Sequence, residues 1–131
     1  MRKKEETKYC VTLTEHQLML IADCVEDLHR FMGGQMELLN TTIRLDKYRD
    51  LCDKLKCLKP LVTPHLPFNA SYGWNGGNCP NDNQRKFLAE TYAIYREIHH
   101  RLTVDHGIDN VYASPTLTCE IGGDLPIIEK L

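Results

Sequence analysis

Apolar and polar residues alternate along Tyr9-Cys-Val-Thr-Leu13, and a period of two predicts a short strand. The period then lengthens. Leu18, Ile21, Val25, Leu28 and Met32 recur at spacings of three and four, which predicts a helix with one apolar stripe on a core and Asp23, Asp27 and Arg30 on the other side. Thr14-Glu-His-Gln17 reads as a capping box, Leu13 and Leu18 as its hydrophobic staple, and Gly33-Gly34 as the stop. A second helical stretch runs from about Gln35 to Leu58, with Tyr48, Leu51, Leu55 and Leu58 on one stripe. Its start is set back by the poor helix formers Asn40-Thr41-Thr42, and Lys59-Pro60 ends it.

A third helix opens at Asn81-Asp-Asn-Gln84, another capping-box pattern, and carries Phe87, Thr91, Ile94, Ile98 and Leu102 to about Thr103 before His106-Gly107 breaks it. Beyond it, Asn110–Cys119 and Gly122–Ile128 read as two short extended pieces about a Gly-Gly turn, kept to sheet edges by Pro115 and Pro126. The expected fold is therefore a single α+β domain over residues 1–131: an N-terminal strand, two to three amphipathic helices, a long aromatic and glycine-rich loop, and an extended C-terminal arm with short strands.

That loop, Leu61 to Cys79, has no Lys, Arg, Asp or Glu but holds two prolines, three glycines and the only tryptophan. Phe68, Tyr72 and Trp74 are too large and apolar for a solvated linker and are expected to pack or to bind. Elsewhere the composition is ordinary. A chain of 131 residues, 42% apolar and 26% charged, can build one core without disulfides or metal. A net charge of −2 argues against tracking the backbone of duplex nucleic acid. The charged N-terminus and the lack of a long apolar run predict a cytoplasmic protein with no membrane segment. In a reducing compartment Cys10, Cys24, Cys52, Cys57, Cys79 and Cys119 read as thiols, small half-buried hydrophobes without a CxxC pair.

Candidate chemistry is sparse. Glu26-Asp-Leu-His29 and Glu97-Ile-His-His100 have the Glu-x-x-His spacing of dimetal bundles, and a metal-dependent enzyme built on them is the catalytic alternative. Glu26 falls off the apolar stripe, however, where a bundle-core ligand should sit, so no metal is expected. There is no Gly-x-Ser-x-Gly elbow, no His-Glu-x-x-His and no phosphate loop. A protein-binding inhibitor using the basic residues Lys47, Arg49 and Lys54 is a further alternative. The aromatic loop is richer: Tyr72-Gly-Trp-Asn-Gly-Gly-Asn78 combines stacking surfaces, amides that read heterocycle edges, and glycines that admit a ligand to the backbone. Arg30 offers a guanidinium fork suited to phosphate oxygens, and Lys86, Arg96 and Arg101 a second basic side.

Three segments carry a resemblance. Cys24-Val-Glu-Asp-Leu-His-Arg30-Phe-Met-Gly-Gly34-Gln35 resembles the helix-one signature of small phage proteins, the sponge family that counters the Thoeris defence system. Val111-Tyr-Ala-Ser-Pro-Thr-Leu117 and Gly122-Gly-Asp-Leu-Pro-Ile-Ile-Glu129 are similar to the closing motifs of that family, with Thr118 near the place of an expected arginine. The resemblance implies a non-enzymatic protein that binds a cyclic ADP-ribose signal, or in some members cyclic oligonucleotides, in the cytoplasm of an infected bacterium. It also implies a homodimer or a homohexamer made as a trimer of dimers, and places Arg30 on the ligand phosphates. The rest of the expected site follows from residue type: Trp74 or Tyr112 stacks on a base, Asn75, Asn78 or Ser114 bonds its edges or the ribose, and Gln35, Tyr72, Arg96 and Arg101 complete the wall. No cofactor is expected.

Overall fold

The computed structural model describes residues 6–38, 45–115 and 124–131. It holds four helices among these, α1 (Glu15–Met32), α2 (Tyr48–Lys56), a single turn α3 (Lys59–Val62) and α4 (Asp82–His106), followed by a 3-10 turn at Val111–Ala113. No strand occurs among the described residues, so the expected α+β class is wrong and the fold is helical. Tyr9–Leu13 shows why: alternation stabilises a strand only when one face is covered, and all five residues stay exposed, with no backbone ladder. In the C-terminal arm, Val111–Ala113 turns as 3-10 helix and Asp124–Leu131 has no regular structure. The Gly122-Gly123 turn and Cys119 lie outside the described residues, as does Asn40–Thr42. None of the described helices is long and apolar enough to cross a membrane.

α1 and α4 form the body, packed antiparallel. At one end His106 on α4 bonds Glu15 on α1, and at the other the Gln84 amide donates to Met32 O at 2.7 Å. Both helix starts follow the sequence. Thr14 and Gln17 exchange the two bonds of a capping box, and Asn81 accepts from the Gln84 amide N–H at 3.0 Å. The Gln84 side chain departs from the pattern, though. Rather than reach back to its own cap, it also donates to Val62 O at 2.8 Å, so one amide ties the ends of α1 and α3 to the first turn of α4. Gly107, in the left-handed conformation, closes α4.

The second helix is shorter than expected, and Lys59-Pro60 starts a new turn where a stop was anticipated, because proline is at home in the first turn of a helix. The buried face of α1 also differs. Leu18, Ala22, Val25, Glu26 and His29 turn inward, whereas Ile21 and Leu28 stand outside with Leu20 and Cys24. α1 is apolar on two sides, so its period specifies a helix without choosing the side that meets α4. Small Ala22 and Gly33 make the choice physically, since they let Tyr95 and Leu88 close in, with Leu88 within 3.6 Å of where a Gly33 side chain would begin.

Two apolar clusters result. Ala22, Tyr95, Ile98 and Leu102 form the first; Tyr72, Cys79 and fully buried Leu88 form the second, under the end of α1. The loop between α3 and α4 lies on this second cluster, held by Tyr72 N–H to Gly33 O at 2.8 Å. Gly76, at φ +68°, lets the loop touch α4, since a Cβ there would lie 3.0 Å from Arg85 Cα. Cys52 and Cys79 are buried, but Cys10, Cys24 and Cys57 are exposed rather than half-buried.

Candidate functional site

Where the end of α1, the aromatic loop, the middle of α4 and the 3-10 turn meet, they enclose a cleft of about 380 Å³. That volume is within the range of small-molecule sites. Arg30, Gln35, Trp74, Arg96 and Tyr112, five of the residues singled out from sequence, line it together.

Its aromatic wall is continuous. Trp74, half exposed, rests on Tyr92 with ring centres 4.7 Å apart; Tyr92 meets Tyr95 edge-on at 5.4 Å, and His29 packs against Tyr95 at 5.3 Å. Across the cleft, Tyr112 stacks on His99 at 4.7 Å and lies under the Arg96 guanidinium at 5.0 Å. Arg96 donates to Val111 O and Ser114 O at 2.9 and 3.1 Å, and His100 Nδ1 to Tyr112 O at 2.6 Å. Two side chains one turn apart on α4 thereby fix the turn that carries Tyr112.

Below the floor, Glu26 is 5% exposed, and its carboxylate accepts from both Arg30 and His99. Burial alone would raise its pKa, but those two partners outweigh burial and hold it near 2. Arg30 Nη1 also donates to Gln35 Oε1 at 2.8 Å, so the fork is held in place. His29 is neutral. Burial and then the Arg30 charge press its pKa down to about 4. Thr91 donates its hydroxyl proton to Phe87 O at 2.7 Å, so His29 Nδ1 is the donor to Thr91 Oγ1 at 2.8 Å, and the other ring nitrogen carries a lone pair. Tyr95 keeps its proton, its pKa raised by burial and by Glu26. Two guanidinium groups therefore line the cleft, while among its described lining residues there is no carboxylate. Such a wall suits a planar ring bearing phosphate.

Other expected site residues lie elsewhere. Tyr72 is buried in the second apolar cluster, and Asn75 closes a loop turn by accepting from Gly77 N–H. Arg101 forms a bidentate pair with Asp105, and Ser114 contributes only a carbonyl to Arg96. Exposed Asn78 and Lys86 do not line the cleft. The two Glu-x-x-His pairs are divided, with Glu26 on Arg30 and His99, His29 on Thr91, and His100 on a carbonyl; no group of metal-ligating side chains occurs among the described residues. Sequence reasoning missed Ser71, Tyr92 and Tyr95 as lining residues and His99 as their support. Tyr92, Tyr95 and His99 sit at spacings of three and four on one face of α4, a signal open to the same periodicity argument.

Comparison of the chain with family models, with curated proteins and with solved structures found no match.

Proposed function

We propose that this chain is a binding protein that sequesters a cyclic nucleotide second messenger, a cyclic ADP-ribose isomer or a cyclic oligonucleotide, without degrading it, as phage sponges do against bacterial defence. The observation that carries the reading is the convergence of Arg30, Gln35, Trp74, Arg96 and Tyr112, from α1, its C-terminal extension, the loop, α4 and the 3-10 turn, on one aromatic cleft. In this reading Trp74 and Tyr92 stack on the base, Arg30 and Arg96 take the phosphates, and Gln35 and Ser71 bond ribose or base edges. Tight binding needs a preorganised wall, and the bonds that fix the turn carrying Tyr112 supply it. The functional unit is a homodimer or homohexamer, with the outer apolar stripe of Leu20, Ile21 and Leu28 as the surface an assembly would bury; light scattering of the purified protein tests it.

The only tryptophan is in the cleft, so its fluorescence reports occupancy. The protein is titrated with a panel of cyclic ADP-ribose isomers and cyclic di- and trinucleotides, then heated and the released ligand chromatographed. Saturable quenching with intact recovered ligand is expected. Converted ligand would make the protein an enzyme, and no response at micromolar concentration overturns the reading.

A further inference from the structure

A second cleft, about 430 Å³, opens beside the first, and Gln35 and Ser71 belong to the walls of both. Lys59 is built into its floor. Only 4% exposed, it donates to Gly34 O at 2.7 Å and to Ala70 O at 2.6 Å. An ammonium has three donors, and no described residue accepts the third; nor does any described carboxylate pair with it. Burying a cation without a counter-charge is costly, and desolvation accordingly lowers its pKa. The rest of the wall is mixed, with Gln35, Asn69 and Ser71 set among Met36, Phe68 and Ala70, and the one carboxylate there, Glu37, is held by Lys56 at 3.2 Å. Gly34 and Gln35 connect the two clefts directly: the carbonyl of one holds Lys59 while the side chain of the next holds Arg30.

We propose that the second cleft is an anion site in which Lys59 donates to phosphate oxygen, so that the ligand is a nucleotide with its ring at Trp74 and its diphosphate reaching from Arg30 past Gln35 towards Lys59. This extent of the ligand rests on the nucleotide reading of the first cleft; the anion site itself does not. Inorganic pyrophosphate is the probe for the site alone, followed by the backbone amide resonances of 15N-labelled protein, and cyclic ADP-ribose is the probe for both clefts.

Pyrophosphate should shift the amides of Phe68 to Ser71 with a saturable curve. Lys59→Met should weaken that response at least tenfold, and Asn69→Asp, which sets a negative charge on the rim and leaves the Lys59 bonds in place, should do the same if the methionine variant fails to fold. Both substitutions should weaken cyclic ADP-ribose tenfold, whereas Trp74→Ala should weaken cyclic ADP-ribose and leave pyrophosphate unchanged. If pyrophosphate moves nothing at 68–71, Lys59 is a structural strut and the proposal falls, whatever Trp74→Ala does. If pyrophosphate binds there but Trp74→Ala leaves cyclic ADP-ribose untouched, the anion site stands and the nucleotide reading fails.

Discussion

Arg30 and Glu26, one turn apart on α1, are joined through two guanidinium nitrogens to one carboxylate oxygen, at 2.9 and 2.8 Å, while His99 from α4 takes the other oxygen at 3.1 Å. Arg30 is thus both an intramolecular partner and a cleft residue, and its two roles compete. Arg30→Ala would leave a buried carboxylate with His99 alone and should cost about 3 kcal/mol, the lower end for breaking a buried pair because Arg30 itself is partly open. Loss of binding in that variant would therefore be ambiguous. Glu26→Gln separates the roles: it should lower the urea midpoint yet tighten an anionic nucleotide about tenfold, about 1.4 kcal/mol, by removing the charge that competes for the fork. Unchanged affinity in a folded Glu26→Gln variant would show that Arg30 does not touch the ligand.

Acid should loosen the fold in two stages. The His29 pKa lies near 4 when folded, through burial and then Arg30, against 6.5 unfolded, so protons bind the unfolded chain first and stability falls as pH drops from about 6.5 towards 4. The full loss from this group is on the order of 3 kcal/mol. Glu26 has the opposite charge type and the same sign of effect: its folded value near 2 lies below 4.5, so the stability it contributes is present above pH 4.5 and is lost on the way down to 2. Urea midpoints at pH 7, 5.5, 4 and 2.5 should decline for the native chain. His29→Asn, which keeps a donor for Thr91 and cannot protonate in this range, should flatten the upper stage and leave the lower one in place.

Trp74 packs on Tyr92 yet is 47% exposed and makes none of the hydrogen bonds that hold the loop, which run through Tyr72 and Lys59. Trp74→Ala should accordingly change the melting temperature little. Loss of one stacking face should weaken a bound nucleotide by about 1–3 kcal/mol, or roughly 5- to 150-fold, measured by calorimetry because the fluorophore is gone. A variant that binds as tightly as the native chain would show that no base stacks on Trp74, and the nucleotide reading of the cleft would fail.

The helix starts were legible because caps are local: Thr14 with Gln17, and Asn81 with the Gln84 amide, need only neighbours along the chain. The strand at Tyr9–Leu13 was misjudged because a strand needs a partner that its own residues cannot specify. Glu26 was misjudged for a related reason. Its position off the apolar stripe argued against a place in the core, but His99, 73 residues away, joins Arg30 in satisfying it, and a charge so satisfied can be buried. In the cleft, Arg30, Gln35, Trp74, Arg96 and Tyr112 were visible by residue type alone, as groups that stack or bind phosphate. Tyr92 and Tyr95 escaped because aromatic residues on a long helix read as core, and Tyr95 does belong to the core as well as to the wall.

Gly34 is the position where a single methyl group should do most damage. Its φ of +107° is one that side chains rarely adopt, and a Cβ there would fall 2.6 Å from Lys59 Nζ, 3.0 Å from Thr63 Cγ2 and 3.3 Å from Ala70 O. Backbone strain alone costs about 1–3 kcal/mol. The lysine cannot yield cheaply, since moving it breaks two bonds to carbonyls and leaves a buried cation unsatisfied. Gly107 offers a reference, with φ +62° in the left-handed well and open space around its would-be Cβ, so Gly107→Ala gives the smaller cost of an uncrowded left-handed position. Urea denaturation should show Gly34→Ala to be less stable than Gly107→Ala by at least about 1 kcal/mol, the cost of one lost buried hydrogen bond. Equal losses in the two variants would mean that Lys59 swings aside freely, and that the floor of the second cleft is not fixed by the Gly34 contact.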